Sequence, residues 1–156
     1  MRTVKQVFYH PVVLQLFNNS GFPDPVYAKS GDSGMDVRAK VAGCVRPGET
    51  TLVPTGLYVG IPDGYELQAR PRSGLSLKTK IRVANSPGTI DSNYTGELCI
   101  IVDNIGESEF SYTAGERIAQ IVLQQVPTIV WNPVESRDFL KKTTRGTAGF
   151  GSTGTH

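Results

Sequence analysis

The sequence predicts an all-β fold, a sandwich or barrel of many short strands, and two observations support this prediction. Short runs rich in Val, Ile and Leu recur along the chain, each about the length of a strand. Clusters of Gly, Pro, Asn and Asp separate these runs, and the 156 residues include 17 Gly and 10 Pro. Frequent turn signals between short apolar runs are typical of sandwiches and barrels. A length of 156 residues fits one domain that is large enough for its own core.

The first half of the chain alternates short apolar runs with turn-forming residues. Strands are therefore expected at residues 12–17, 34–41 and 65–70, with two more short strands across 51–60. The turns and loops between them are expected at 18–25, 47–49 and 62–64. Within 65–70 polar and apolar residues alternate, so Glu66, Gln68 and Arg70 should lie on one face of that strand.

The second half contains the one plausible helix, which is short and covers about residues 73–78. Apolar runs predict the remaining strands at 80–84, 98–103, 109–112, 118–124 and 128–131. The runs 80–84 and 98–102 flank a turn-rich segment, so we expect them to form a β-hairpin. The chain shows no internal repeat and no linker, which favours a single domain.

The charge of the chain is mild, with a formal net charge of +2 and a sequence pI near 8.6. Its basic residues are dispersed rather than massed in one block, so we expect no stable binding to nucleic acid. A small anionic ligand remains compatible with this balance. The apolar run at residues 12–14 is too short for a signal peptide or a membrane span, so no membrane partner is expected.

The two cysteines, Cys44 and Cys99, have no CxxC spacing and no neighbouring His. This pattern suggests neither a zinc site nor a disulfide framework. Free thiols are typical of a reducing compartment. We therefore expect a soluble protein of the cytoplasm, or of the host-cell cytoplasm where the chain is encoded by a virus or phage.

Residues 88–97 form the most informative segment, because they place a carboxylate, Asp91, and an aromatic ring, Tyr94, on the bend of the predicted hairpin. Gly88 and Gly96 would allow the backbone to approach a ligand closely. Asp and Asn are also common turn residues, so an ordinary turn is the alternative interpretation. The segment is a candidate site rather than a scaffold element.

The Gly-rich end, residues 145–156, matches the dinucleotide-binding pattern GxGxxG at 149–154. That pattern requires a following helix to hold a pyrophosphate, and only two residues remain after it. A flexible terminus is the simpler interpretation. The alternative is a strap that orders over a phosphorylated ligand, in which Arg145 would bind phosphate and Phe150 would cover a base.

Three further clusters carry polar residues at the ends or on the faces of predicted elements. Arg72, Ser73 and Gly74 precede or begin the short helix and could bind phosphate, although a serine N-cap followed by glycine is common. In residues 30–39, Asp36 alternates with apolar neighbours and so lies on a strand face. In residues 115–122 a turn enters an apolar strand that carries the polar Gln120.

These five clusters occur in the order of the five sequence motifs of the homotrimeric dUTP diphosphatases (dUTPases), a family that the chain resembles from about residue 30 to residue 154. Segments 88–97 and 145–154 carry the most specific part of the resemblance. It implies a distorted β-barrel or jelly roll that assembles as a homotrimer with three active sites at subunit interfaces. It also implies Mg²⁺-assisted hydrolysis of dUTP to dUMP and pyrophosphate, which limits uracil in DNA and supplies dUMP for dTMP synthesis.

The resemblance further implies roles for individual residues. Asp91 is similar to the family's general base, and Asp36 would either hold a water on Mg²⁺ in its outer shell or pair with an arginine. Residues 1–144 would form the β-barrel domain, and residues 145–156 a flexible arm that closes over the active site. The implied substrate-binding residues are Arg72, Ser73, Gly74, Asn85, Gly88, Thr89, Ile90, Tyr94, Cys99, Gln120, Arg145, Phe150, Gly151, Ser152 and Thr153.

Two other functions remain open from the sequence. A dCTP deaminase resembles this fold and would release ammonia from dCTP, although segment 88–97 fits the diphosphatase better. A regulatory module could keep the nucleotide site without turnover, although Asp91 and the intact arm argue against it. Trp131 is better explained as an interface or core residue than as a ligand contact. The sequence does not decide whether Arg70 reaches a phosphate or only the solvent.

Overall fold

The structure is a computed structural model that describes residues 11–148. Those residues form ten β-strands, one α-helix and one 3-10 helix. In chain order they are β1 (Gln15–Asn18), β2 (Met35–Arg38), β3 (Gly43–Val45), β4 (Thr50–Gly60), β5 (Tyr65–Arg70), α1 (Ser73–Lys78), β6 (Ile81–Val83), β7 (Gly88–Ile90), β8 (Glu97–Asn104), β9 (Phe110–Tyr112), β10 (Arg117–Gln125) and the 3-10 helix (Arg137–Phe139).

Two four-stranded antiparallel sheets carry the fold, in the strand orders β1-β4-β8-β6 and β2-β10-β5-β7, and β3 pairs separately with β9. Each sheet turns its buried face to a common core, in which Leu67 of one sheet and Leu98 and Ile100 of the other are almost fully buried. The predicted all-β fold is confirmed. The sheets are jelly-roll-like and, within the described residues, do not close into a barrel.

β5 and α1 occupy the residues predicted for them. In β5, Leu67 and Ala69 are buried, whereas the polar residues between them are half-buried on the opposite face. α1 is short because Thr79 closes it: the backbone N–H and the hydroxyl of Thr79 both donate to the Leu75 carbonyl, at 2.9 and 2.7 Å. Leu75 packs on the core and so fixes the position of the helix start, where Arg72 and Ser73 lie.

The prediction of two short strands across 51–60 is wrong, because β4 is one strand of 11 residues. A β-bulge between Pro54 and Leu57 interrupts its pairing with β8, and the pairing resumes on both sides of the bulge. Gly56, inside the bulge, has a φ of +72°, a conformation that favours glycine. The Pro and Gly that indicate a turn in the sequence therefore mark a bulge in a long strand. β1 begins only at Gln15, since its partner β4 ends at Gly60.

The two strands of the predicted hairpin at 80–84 and 98–102 pair as expected, but the segment that connects them contains a further strand. β6 pairs antiparallel with β8. The residues between them are not a simple bend, because β7 leaves this sheet and pairs with β5 of the other sheet. The segment that carries Asp91 therefore connects the edges of two sheets.

The strand predicted at 128–131 is wrong, because these residues form no strand. Ile129, Val130 and Trp131 are 70%, 88% and 82% exposed, so no part of the described chain offers them a pairing edge or an apolar surface. A core role for Trp131 is excluded within residues 11–148, and its interface role stays a prediction.

Cys44 and Cys99 are both free thiols. No helix in residues 11–148 has the length and apolar character needed to cross a membrane.

Candidate active site

A cavity of about 300 Å³ lies where the two sheets meet. Strands β4 and β8 line it from one sheet, and β5 and β7 line it from the other. Its lining contains seven of the residues that the sequence predicts for substrate binding or catalysis, and these are Asn85, Gly88, Thr89, Ile90, Asp91, Tyr94 and Cys99. The lining is more apolar than polar in character, through Leu52, Ala69, Leu98 and Ile101. Such a cavity can hold a flat heterocyclic ring.

The wall formed by β7 depends on a glycine. Gly88 pairs with Ala69 and is buried. A Cβ atom at position 88 would lie 3.0 Å from Nδ2 and 3.2 Å from Oδ1 of Asn85. The missing side chain therefore lets the Asn85 amide, which carries both a donor and an acceptor, lie directly over the backbone of β7 in the lining of the cavity.

Tyr94 is held by the backbone that follows it. Its hydroxyl donates to the Glu97 carbonyl oxygen at 2.9 Å, and its ring lies against Gly96, where a Cβ atom would be 2.5 Å from the hydroxyl oxygen. The Tyr94 N–H donates to the Asp91 carbonyl at 3.1 Å and closes the turn between them. Tyr94 is 45% exposed, so one face of its ring is available at the cavity.

Asp91 lies at the mouth of the cavity and is exposed. The same residue lines an adjoining open groove together with Asp63, Ser92 and Asn93. Among the described residues, no side chain or backbone N–H donates to its carboxylate. The carboxylate is therefore accessible to a water molecule beside a ligand in the cavity.

Cys99 is half-buried in the wall of the cavity. Burial, and to a lesser degree the Glu97 carboxylate, raise the pKa of its thiol above the ordinary value. Cys99 is therefore a neutral thiol at neutral pH, so its side chain adds no charge to the cavity.

A second group of predicted residues surrounds the end of β5 and the start of α1. Asp36 accepts from Nε of Arg72 at 2.8 Å and from a terminal nitrogen of Arg117 at 3.2 Å. The Gln120 side-chain amide donates to the Pro71 carbonyl at 2.9 Å. These contacts hold two guanidinium groups and an amide beside one carboxylate, which is an arrangement suited to an anion.

Gly34 explains the close packing in this group, since a Cβ atom there would overlap the side chain of Gln120. Ser73 and Gln120 line a cavity of about 450 Å³, and Asp36, Arg117 and Gln120 line a neighbouring one of about 480 Å³. Arg70 lines both.

Arg70 is the residue whose role the sequence leaves open. Its Nε and a terminal nitrogen donate to Oε1 of Gln68 at 3.1 and 2.6 Å. Its side chain therefore lies along the polar face of β5, toward the two cavities of the arginine group rather than away from them.

The two groups of residues lie on opposite faces of the β2-β10-β5-β7 sheet. Ala69 lines the cavity beside Asp91, whereas its neighbours Gln68 and Arg70 line the cavity beside Ser73 and Gln120. Adjacent residues of a strand point to opposite faces. One chain therefore presents the two halves of the predicted site in separate places.

The remaining predicted residues in the described part of the chain line none of these three cavities. Gly74 is exposed in α1. Arg145 is exposed, and its Nε donates to the Ala148 carbonyl at 2.8 Å, so within the described residues it contacts neither cavity. The predictions for Phe150, Gly151, Ser152 and Thr153 fall outside the described residues.

Glu97 and Arg117 also belong to the candidate site, although the sequence analysis predicts no role for them. Glu97 lines the first cavity, and Arg117 pairs with Asp36 in the second group. The available signal is a charged residue at the first position of a strand whose next residues are apolar, which both residues share. A charge at a strand start is usually solvated, so this signal alone is weak.

Comparison with known proteins places this arrangement among the nucleotide hydrolases. The family model described as dUTPase matches residues 21–154. The deoxyuridine 5'-triphosphate nucleotidohydrolase of Caulobacter vibrioides is 48% identical over 140 residues, which cover 87% of this chain and 88% of that protein. The enzyme of the same name from Chlamydia felis is 50% identical over 137 residues, which cover 86% and 93%. The chain belongs to the dUTPase family.

Solved structures agree with this assignment. The dUTPase of Staphylococcus bacteriophage 80alpha with dUPNHPP superposes with a TM-score of 0.83 at 27% identity, covering 91% of this chain and 98% of that one. A mutant dUTPase of the Staphylococcus aureus phage phi11, described with a structural Mg(II) ion, has a TM-score of 0.73 at 23% identity and covers 82% and 100%. The latter likeness supports the fold alone.

Proposed function

We propose that this chain hydrolyses dUTP to dUMP and pyrophosphate by attack of water on the α-phosphorus, and that it does so as a homotrimer with shared active sites. One observation carries the proposal: seven predicted nucleoside-binding or catalytic residues line a single cavity, with the Asp91 carboxylate at its mouth. The name shared by the bacterial relatives supports the substrate. The reaction would limit uracil in DNA and supply dUMP for dTMP synthesis.

Uracil fits the polar edge of the cavity. Its N3–H lies between two carbonyl oxygens, and the Asn85 amide and the backbone of β7 and Cys99 offer donors and acceptors along one wall. Cytosine carries a donor where uracil has the O4 acceptor, so one group of the wall would lose its partner, at a cost of about 1–3 kcal/mol. The narrow space beside β7 would exclude the methyl group of thymine.

Tyr94 selects the sugar in this proposal. Its ring would pack against the deoxyribose where a ribose carries its 2′-hydroxyl. A hydroxyl buried against the ring without a partner costs about 1–3 kcal/mol. The fixed position of the ring on Gly96 supports this role.

Asp91 would act as the general base that orients the attacking water and accepts its proton. Its exposed carboxylate beside the cavity supports this role. Such proton transfer contributes about 10²–10⁴-fold in rate.

The triphosphate would be bound by Arg72, Ser73, the Gly74 amide and Gln120, with Arg145 and residues 150–153 closing the site. Phe150 would stack on uracil, and Gly151, Ser152 and Thr153 would bind the γ-phosphate. Preorganised donors of this kind stabilise the charge that develops on the phosphates. The pairing of Asp36 with Arg72 and Arg117 supports the interpretation in which Asp36 positions arginine side chains.

Mg²⁺ is compatible with the residues of this group. In residues 11–148 no three His, Cys, Asp or Glu side chains stand close enough to form a metal cage. Mg²⁺ at phosphate sites usually keeps several waters and needs only one or two carboxylates. Asp36 accepts one hydrogen bond at each oxygen and retains lone pairs for a metal-bound water. When bound, the ion would neutralise charge on the phosphates.

The separation of the two groups supports active sites that are shared between subunits. A base in the cavity of β7 and phosphates beside Arg72 would lie on opposite faces of one sheet. Two chains packed together would bring one chain's cavity to another chain's arginine group. We therefore propose that residues 1–144 form the assembling domain and that residues 145–156 form an arm that closes over the active site of a neighbouring subunit.

The proposed reaction is tested by measuring pyrophosphate and ammonia release from dUTP, dCTP, dTTP and UTP, with Mg²⁺ and with EDTA. We expect Mg²⁺-dependent pyrophosphate release from dUTP and a far lower kcat/KM for the other three. A kcat/KM for UTP close to that for dUTP would contradict the role of Tyr94. Ammonia from dCTP would instead identify a deaminase, and binding of dUTP without either product a regulatory module.

The proposed base cavity also predicts that dUMP protects Cys99 from alkylation. With dUMP at ten times its dissociation constant, labelling of Cys99 by iodoacetamide should slow by about tenfold, because ten of eleven cavities are filled. The exposed Cys44 is the internal control and should react equally in both samples. The raised pKa of Cys99 makes the thiolate scarcer as the pH falls, so the assay is best run at about pH 9 and read by peptide mass spectrometry. Equal labelling of Cys99 with and without dUMP would contradict the assignment of the cavity.

A further inference from the structure

The bulge in β4 is closed by hydrogen bonds to β8 rather than by ladder pairing. Two residues, Thr55 and Gly56, stand between the paired positions Pro54 and Leu57. The Thr55 hydroxyl donates to the Leu98 carbonyl at 2.5 Å, and the Gly56 N–H donates to Oε1 of Glu97 at 2.7 Å. The bulge therefore contacts β8 at the residues where β8 begins to line the cavity.

The Gly56 N–H depends on Glu97. Gly56 is buried, so water does not readily replace a lost partner. The position has no room for a side chain, because a Cβ atom would lie 2.7 Å from the Cα of Ser20. The other polar group of Gly56, its carbonyl, accepts from the Asn19 N–H at 2.8 Å. The backbone of Gly56 is thus fixed from both sides.

Glu97 connects this fixed point to the aromatic ring at the cavity. Its side chain is held by Gly56, and its backbone carbonyl accepts the Tyr94 hydroxyl at 2.9 Å. The ring also rests on Gly96, the residue before Glu97. The position of the ring therefore depends on where the backbone of 96–97 lies.

We propose that Glu97 is a positioning residue for sugar recognition, because its carboxylate anchors the backbone that holds Tyr94 to the bulge of β4. The inference rests on the proposed dUTPase activity and goes beyond it by naming what fixes the ring that excludes the 2′-hydroxyl. Glu97 does not act on the reacting atoms. Its effect passes through the Tyr94 hydroxyl and the packing of the ring on Gly96.

The hydrogen bond from the Gly56 N–H restricts which side chains can replace Glu97. The Gly56 N–H needs an oxygen acceptor at the end of a side chain of this length, and a glutamine supplies one as well as a glutamate does. An alanine leaves the buried N–H without a partner. The anchor thus depends on the acceptor and not on the charge.

The test compares kcat and KM for dUTP and UTP in three variants. Glu97→Ala should raise KM for dUTP and lower the ratio of kcat/KM for dUTP over UTP by about tenfold, since a lost acceptor frees the ring to move. Glu97→Gln should keep the wild-type ratio. Glu49→Ala is the matched control, because Glu49 also accepts a backbone N–H, that of Arg46 at 2.8 Å, and lies in a turn that lines neither cavity. It should leave the ratio unchanged.

A merely structural role would lower the amount of active enzyme and reduce the rates for both substrates equally. Tyr94→Phe gives an independent measurement for the case in which Glu97→Ala does not fold, because Tyr94 is half-exposed and the substitution keeps the ring while it removes the hydroxyl that the Glu97 carbonyl holds. It should also lower the dUTP-to-UTP ratio, and combining it with Glu97→Ala should add little.

Three results would overturn the inference. A wild-type ratio in Glu97→Ala or in Tyr94→Phe, in an active enzyme, contradicts it alone and leaves the proposed function intact. A ratio in Glu97→Gln as low as in Glu97→Ala contradicts the acceptor as its cause. Absence of dUTP hydrolysis in the wild type contradicts the proposed function, and the inference with it.

Discussion

Replacing Asp91 by Asn is expected to lower kcat for dUTP by about 10²-fold or more while dUTP still binds. Asn keeps the shape of the side chain. The turn should persist, because it is closed by two backbone groups, the Tyr94 N–H and the Asp91 carbonyl. The amide cannot accept a proton from water at neutral pH. The loss should therefore appear in kcat, with a similar dissociation constant for the substrate.

The measurement is the steady-state rate of pyrophosphate release, combined with calorimetric binding of a non-hydrolysable dUTP analogue. Asp63→Asn provides the matched control, since Asp63 is another turn carboxylate that lines the same open groove and has no proposed role. It should retain wild-type kcat. If Asp91→Asn also retains it, Asp91 is an ordinary turn residue, which is the alternative that the sequence leaves open.

Elements that depend on residues close together in the sequence could be predicted. The alternation of 65–70 defines β5 because Leu67 and Ala69 are buried and the residues between them are not. α1 ends at Lys78 because the groups that close it belong to Thr79, four residues after Leu75. Part of the cavity lining could also be predicted, because segment 88–97 supplies six of its twelve lining residues from one stretch of the chain.

Elements that depend on partners far away in the sequence could not be predicted in the same way. β4 continues through Pro54 and Gly56 because β8, more than 40 residues later, bonds to both sides of the bulge. β7 pairs with β5, which no local pattern in residues 88–90 indicates. Glu97 was missed for the same reason: its partner, the Gly56 N–H, is 41 residues away in sequence.

A chain that ends at Thr144 should fold and assemble but lose most of its activity. Every buried core residue of the described part lies between Val37 and Val122, so residues 145–148, the described part of what the truncation removes, contribute none of them. It removes Arg145 and Phe150, which we propose bind phosphate and cover the base. Activity should fall by at least the roughly 10²-fold expected for a lost charged donor set in a phosphate site. Circular dichroism and the mass of the assembly check that folding and association are retained.

Mixing this truncated chain with full-length Asp91→Asn tests whether the arm acts on a neighbouring subunit. Each parent homotrimer lacks either the base or the arm in all three sites. A mixed trimer can combine an intact Asp91 of one chain with an intact arm of another, so co-refolding should restore activity beyond the sum of the two parents. The opposite faces of the cavity and the arginine group in one chain support this expectation. Heterotrimers shown by mass to form, yet as inactive as both parents, would mean that each arm closes over the site of its own subunit.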